Sequence, residues 1–293
     1  MANKKESRVE VDQEEITPYR EVIAKIISGE EPVPALPAVT LEIRRALADL
    51  NTSALSLSKL VAQDEKLSDQ LLRYASSVAV HSMMPPQTIL DVVRILGMDQ
   101  VGRITMVHTI KDIFTPQPAA HKRLFLSAWE RVILKASTAA FLAKSLGHVI
   151  PDHALLGSLM TEIGTLAVLA TFKPDQPLPS NEIFIKLCRE FAKPLSELIL
   201  AAWEIESEYT ELVANTGNWK GRADKPFDLI DVVNLGLYHS LKARMVGRSL
   251  PALAELSAYR KLTHPKNFIT DTNELEIVVI GRDVIKSIAE SLR

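Results

Sequence analysis

The sequence predicts an all-α protein built as two helical subdomains. Strand-like alternation is almost absent from its 293 residues. Apolar residues instead recur at helical spacing through most of the chain. The 16 prolines gather between those runs, and only 11 glycines interrupt them. Hydrophobic residues make up 47% and charged residues 24%, the balance of an ordinary globular protein with a sizeable core. A formal charge of −2 argues against a general nucleic-acid binder. The single cysteine, Cys188, leaves no disulfide framework, so the expected compartment is a reducing cytoplasm. No stretch reaches the roughly 18 apolar residues of a spanning helix, and no signal peptide is read at the start. No membrane association is therefore expected.

Residues 1–16 are charged and poor in large apolar side chains, and are read as a flexible tail. Thr17 and Pro18 suit an N-cap and first helical position, opening a helix through Ile27. The prolines of EEPVPALPAV demand an extended connector. Pro37 then starts a helix whose inward face would be Leu41, Ile43, Ala46, Leu47 and Leu50. Ser56 and Asp64 are placed as N-caps of two short helices. ILDVVRIL is closed by Gly97, and a further helix covers VGRITMVHTIKDIF. TPQPAA, 115–120, is the internal boundary, dividing residues 17–118 from 119–293.

The second half opens with a long amphipathic helix ending at Gly147. GSLMTEIGTLAVLATF is read as part of one continuous central helix, with Glu162 near its polar edge. Gly157 and Gly164 mark places where a neighbouring helix comes close. Glu162 then either bonds to hydroxyls or a cation across a helix interface, or lines a small pocket. NEIFIKLCREFA and PLSELILAAWEI are read as two helices, NTGNWKGRADKP as a loop, and DLIDVVNLGLYHSLKARMVG as a helix. A last helix would run from Asp271 to Leu292, with Glu274 completing a capping box.

The seven histidines are scattered and form no His-x-x-x-His pair, which leaves a zinc site unsupported. His148, Asp152 and His153 are the densest ligand-like group, but Asp152 also reads as a helix cap beside two loop histidines. No Gly-rich phosphate loop or Gly-x-Ser-x-Gly elbow is present. Cys188 lies at helical spacing from Phe184 and Phe191, which marks a buried thiol rather than a nucleophile. The basic run 242–248 is too short for a nucleic-acid stripe, so nucleic acid is not an expected partner. Trp219, with Lys220 and Arg222 in the polar loop, either folds back onto the body or forms a partner contact.

Several blocks fall in a familiar order. Pro34-Ala-Leu-Pro37 leads through short helices to Asp64-Glu65 and then LLRYASS. TILDVVRILG, the stretch around Trp129, Leu155 to Leu169 and PLSELILAAWEI follow. Together, over residues 34–241, they resemble the HDOD family, the HD-related output domain. The resemblance implies that the second subdomain is HD-phosphohydrolase-like, a fold whose enzymes hold metal through histidines and aspartates. It also implies that ligand positions fall on Thr161-Glu162, on the Glu130-Arg131-Val132 stretch, near 215–217, and on Asn234. One carboxylate and one amide do not make a hydrolytic site. The expectation is thus a degenerate member with no catalytic, metal or cofactor residues and no cofactor. Its vestigial pocket would hold Thr161, Glu162, Arg131 and Asn234, and its partner would be a signalling protein or a nucleotide-like small ligand. The alternative is a divergent metal-dependent phosphohydrolase that pairs Glu162 with Asp152 or His153.

Overall fold

The computed structural model of the protein describes residues 13–77, 80, 84–116, 119–172, 178–243, 250–263 and 268–293. Among them it is all-helical: fifteen α-helices, one 3₁₀ turn, and a lone bridge between Ile269 and Leu275. Parts of several predicted segments lie outside the described residues: 1–12 of the tail, 78–79 and 83 around one break, 117–118 of the boundary, 173–177 of one loop, and 244–248 of the basic run, together with His81 and His264.

Helix α1 (Gln13–Ser28) starts four residues before the expected cap at Thr17 and carries Pro18 inside it. The extension is driven by Ile16, which is fully buried with Tyr19 and Ile23 at i, i+3 and i+7. Residues 13–16, read as tail in the sequence, are therefore helical; residues 1–12 lie outside the described residues. Helix α2 (Ala38–Ala48) ends before Leu50, which is fully exposed rather than core. Helix α3 (Ala54–Val61) is capped by Ser53, whose side chain accepts from the Ser56 N–H, so the cap lies three residues before the predicted one. Asp64 caps α4 (Glu65–Ala75) as expected, accepting from Leu67. Helix α5 (Ile89–Leu96) opens on a Thr88–Asp91 capping box, and Gly97, at φ 81°, joins it to α6 (Met98–Phe114).

Helix α7 (Ala119–Leu146) runs through the centre of the molecule. It packs on α8 (Pro151–Met160), on α9 (Ile163–Ala170), and on α12 (Leu229–Lys242) and α15 (Arg282–Glu290) further along the chain. The continuous helix expected over 151–172 is two helices, bent by 41° at Thr161-Glu162. No described helix is long and apolar enough to cross a membrane; α8 and α9 are apolar together, but they are core helices. Conversely, the two helices expected over 181–205 are one, α10 (Asn181–Ala202), with Pro194 inside it. A helix-interior proline costs about 3 kcal/mol. Leu195, Ile199 and Leu200 are each at most 1% exposed, and each burial contributes about 1.5–3 kcal/mol, so packing outweighs the break.

Helix α11 (Ser207–Asn215) precedes the predicted loop, and Asp228 then caps α12 through a box with Asp231. The single C-terminal helix is replaced by the turn around Ile269, α14 (Glu276–Ile280) and α15. One cluster of buried side chains runs from Ile16 to Leu292 through both halves. The halves are also tied by Trp203 Nε1 donating to the Pro34 carbonyl at 2.7 Å, and by Arg44 donating to the carbonyls of Trp203 and Glu204.

Gly164 lets α9 and α10 touch: a Cβ there would lie 1.7 Å from the Ala192 carbonyl oxygen. At Gly157 the obstacle is only a Leu212 side-chain methyl at 2.9 Å, which can turn aside. Gly164→Ala should therefore cost about 1–3 kcal/mol of stability in urea melts, and clearly more than Gly157→Ala. The reverse order would contradict this packing.

His108 and His239 are buried, and neither has a hydrogen-bond partner for its ring nitrogens among the described residues. Burial pushes their pKa down from 6.5, to about 3 and about 4 respectively. As pH falls below 6.5, the unfolded chain takes up these protons before the folded one does. Stability should therefore drop by about 1.4 kcal/mol per pH unit for each histidine between 6.5 and about 4. Urea melts of His239→Gln across that window should give a shallower slope than the parent.

Candidate functional site

The bend at Thr161-Glu162 is where the chemistry collects. Thr161 ends α8 with its Oγ1 donating to the Ser158 carbonyl at 2.7 Å. Glu162 sits at the N-cap of α9 but makes no side-chain cap bond. The buried N–H of Gly164, which has no carbonyl partner within the first turn of α9, is capped instead by Ser196 Oγ of α10, at 2.9 Å. The Glu162 carboxylate is thereby left to point elsewhere.

It meets Lys135 of α7. Lys135 Nζ lies 2.5 Å from Glu162 Oε1 and donates to Thr161 Oγ1 at 2.7 Å. The lysine side chain is 3% exposed and the carboxylate 23%. Of the two readings left open for Glu162, the structure shows the bond to a cation across a helix interface. Burial raises the nearby Cys188 thiol to about 12, with the Glu162 charge adding to the shift and Arg131 opposing it. The thiol is thus held protonated. Arg131, one turn before Lys135, lies near the same cluster and bonds to Ser127 Oγ at 3.2 Å.

The other predicted residues lie apart from this cluster. Asn234 is buried, and it accepts from the Gly217 N–H at 2.8 Å and donates to the Asn215 carbonyl. It therefore staples the 215–217 turn. Asp152 is bound to Arg103, and His153 faces Glu208 at 3.1 Å with its ring edge-on to Tyr209. His148 packs on Phe227. None of the three turns toward Glu162. Trp219 is folded back, edge-on to Tyr238, while Ser257 bonds to its carbonyl. Lys220 pairs with Glu255, and Arg222 with Asp228 through both guanidinium nitrogens. A groove of about 450 Å³ lies between α2, α6, α8 and the 204–206 turn, but Arg44 and Arg103 in its wall are already bonded.

The profile of the HDOD domain matches residues 33–218. The chain belongs to the HDOD family. Similar solved structures share the fold of this HDOD protein. One, from Shewanella amazonensis SB2B and provisionally named a metal-dependent phosphohydrolase, has a TM-score of 0.69 at 17% identity, over 96% of this chain and 100% of its own. An HDOD domain protein of unknown function from Geobacter sulfurreducens has a TM-score of 0.64 at 16%, over 94% and 98%. A provisionally named signal transduction protein from Marinobacter aquaeolei VT8 has a TM-score of 0.61 at 18%, over 97% and 67%. No curated protein matches the sequence.

A divalent ion does not fit what this HDOD protein offers at the bend. Its donors there are one carboxylate and one hydroxyl, and both are bonded to an ammonium. Such an ion needs several convergent oxygen or nitrogen ligands, and a lysine ammonium both repels it and takes the place of its charge. Lys135 is the residue the sequence reading missed. Its signal was legible: a lysine sharing a helical face with Ala128, Val132, Ala139 and Leu142, all of them buried.

The pair should respond asymmetrically to mutation. Glu162→Ala strands an almost fully buried ammonium and should cost about 3 kcal/mol. Lys135→Met keeps most of the volume and leaves a carboxylate that water can reach, so it should cost about 1–2 kcal/mol. Chemical denaturation measures both. A Lys135→Met cost equal to or above that of Glu162→Ala would contradict the assignment.

Proposed function

We propose that this HDOD protein is a non-catalytic regulator in a cytoplasmic signalling pathway, acting by binding a partner protein or a small nucleotide-like ligand. The observation that carries the reading is Lys135. Its ammonium is bonded to Thr161 and Glu162, where the family resemblance sets metal ligands. A site whose only carboxylate neutralises an internal cation cannot also gather an ion, hold a water on it and polarise a phosphate. The provisional signalling name of a structural relative is in keeping with the reading.

Engagement of a partner is assigned to the outer side of the 215–226 loop. Trp219 is folded inward on Tyr238 and Arg222 is paired with Asp228, which fixes the shape of the loop and leaves the exposed Lys220, beside Glu255, on its preformed outer surface. Preformed surfaces bind with less ordering cost than mobile ones.

The full chain is to be incubated with manganese or magnesium and with nucleotides or a cyclic dinucleotide. The expected outcome is no phosphate release or ring opening above background and no melting shift with either metal. Metal-dependent turnover that Glu162→Ala removes would overturn the proposal.

A further inference from the structure

We propose that the cavity between α4, α6 and α15 binds the phosphate group of a small phosphorylated molecule. The cavity holds about 300 Å³ and lies apart from the Lys135–Glu162 pair. Arg73 comes to it from α4, Lys111 from α6, and Arg293 from just beyond α15. Against these three cations the lining holds one acid, Glu290, which itself lies 3.9 Å from Lys286. Arg73 has no hydrogen-bond or ion-pair partner among the described residues. Lys111 donates to the main-chain oxygen of Arg293, and Asp112 beside it is already paired with Lys66 at 2.6 Å. The Arg293 guanidinium reaches only Glu130, at 3.9 Å.

One further side chain points to a ligand rather than to the core. His108 lines the cavity, is 3% exposed, and has no partner for either ring nitrogen among the described residues. Gln70 lines the cavity with it. Buried polar groups without partners cost about 1–3 kcal/mol each, so a fold keeps them where something else satisfies them. The charges point the same way. Burial lowers the Lys111 pKa; the neighbouring Asp112 opposes that shift, and Lys66 and Arg73 add to it.

An anion is the missing counterpart. An arginine and a lysine converging on an enclosed space suit a dianionic phosphate, which accepts several charge-assisted hydrogen bonds at once. The volume sets the rest of the ligand. It lies at the small end of ligand pockets, enough for a phosphate and one ring, and too small for a dinucleotide. The basic lining does not continue into a stripe, so a polynucleotide does not fit the site.

This inference is independent of whether the Glu162 site is catalytic, because its test reads binding and not turnover. The full chain is to be titrated by calorimetry with ribose 5-phosphate and with ribose at matched ionic strength. Saturable binding of the phosphorylated sugar is expected, with none for ribose and about a tenfold loss in Arg73→Gln. Arg73 is exposed and unpaired, so that variant should fold normally. The His108 ring proton signals should also shift on binding. Failure to saturate, equal affinity in Arg73→Gln, or unmoved His108 signals would overturn the proposal, and Lys111 would then be satisfied by the Arg293 main chain alone.

Discussion

The centre of this protein depends on one ammonium. Lys135 reaches from α7 to the point where α8 gives way to α9, and there it holds a hydroxyl from one helix end and a carboxylate from the other. Without a positive group at that place, the bend at Thr161-Glu162 would confront a buried surface with an unneutralised acid. The rest of the centre follows from the bend. Because α9 turns away by 41°, Gly164 is brought against α10 closely enough for Ser196 to cap it, while Gly157 stays with α8 and faces Leu212. Two glycines that sequence spacing put on one face therefore serve two different helix contacts.

The pair does not supply the stability of the fold. Buried ion pairs roughly break even against apolar replacements, and the apolar cluster from Ile16 to Leu292 is far larger than any one polar contact. What the pair fixes is position. An apolar α8–α9 segment could slide against α7 with little penalty, since leucines and alanines match one another in several registers. A buried lysine and a half-buried glutamate among them match only once. The same geometry holds the site rigid: the carboxylate is oriented by the cation, and the cation by the carboxylate and the hydroxyl.

The helical class, the HDOD membership, the Asp64 cap and the glycine stops at 97 and 147 were legible in the sequence, because each rests on local chemistry. The errors have one origin, which is that local signals were read where tertiary packing decided. Pro194 looked like the first residue of a new helix, yet the buried side chains beyond it carry α10 through. Thr161-Glu162 contains neither proline nor glycine, yet the chain breaks there, at the place where a lysine 26 residues earlier in sequence bonds to it. Leu50 fitted an apolar face that ended two residues before it. At the site, the one carboxylate and one hydroxyl at positions 161 and 162 could be read from residue identity alone. Their cation partner could not, because attention fell on acids and histidines, the usual ligands, rather than on a lysine in an apolar face.

The two regions of interest share α7. Trp129 on this helix lies under the Lys111 ammonium at 6.0 Å, and Glu130 faces Arg293, both at the edge of the cationic cavity. Lys135, less than two turns further on, holds the α8–α9 bend. A helix that is rigid over this length cannot shift at one contact without moving the other. Lys135 cannot follow a displacement by relaxing, because its side chain is enclosed and its two acceptors are fixed at helix ends. A small change at the cavity is therefore transmitted to the bend or resisted by it as a unit. A regulatory protein needs such a connection between a ligand-sized cavity and a central joint, whereas a hydrolase would need the joint itself open to substrate.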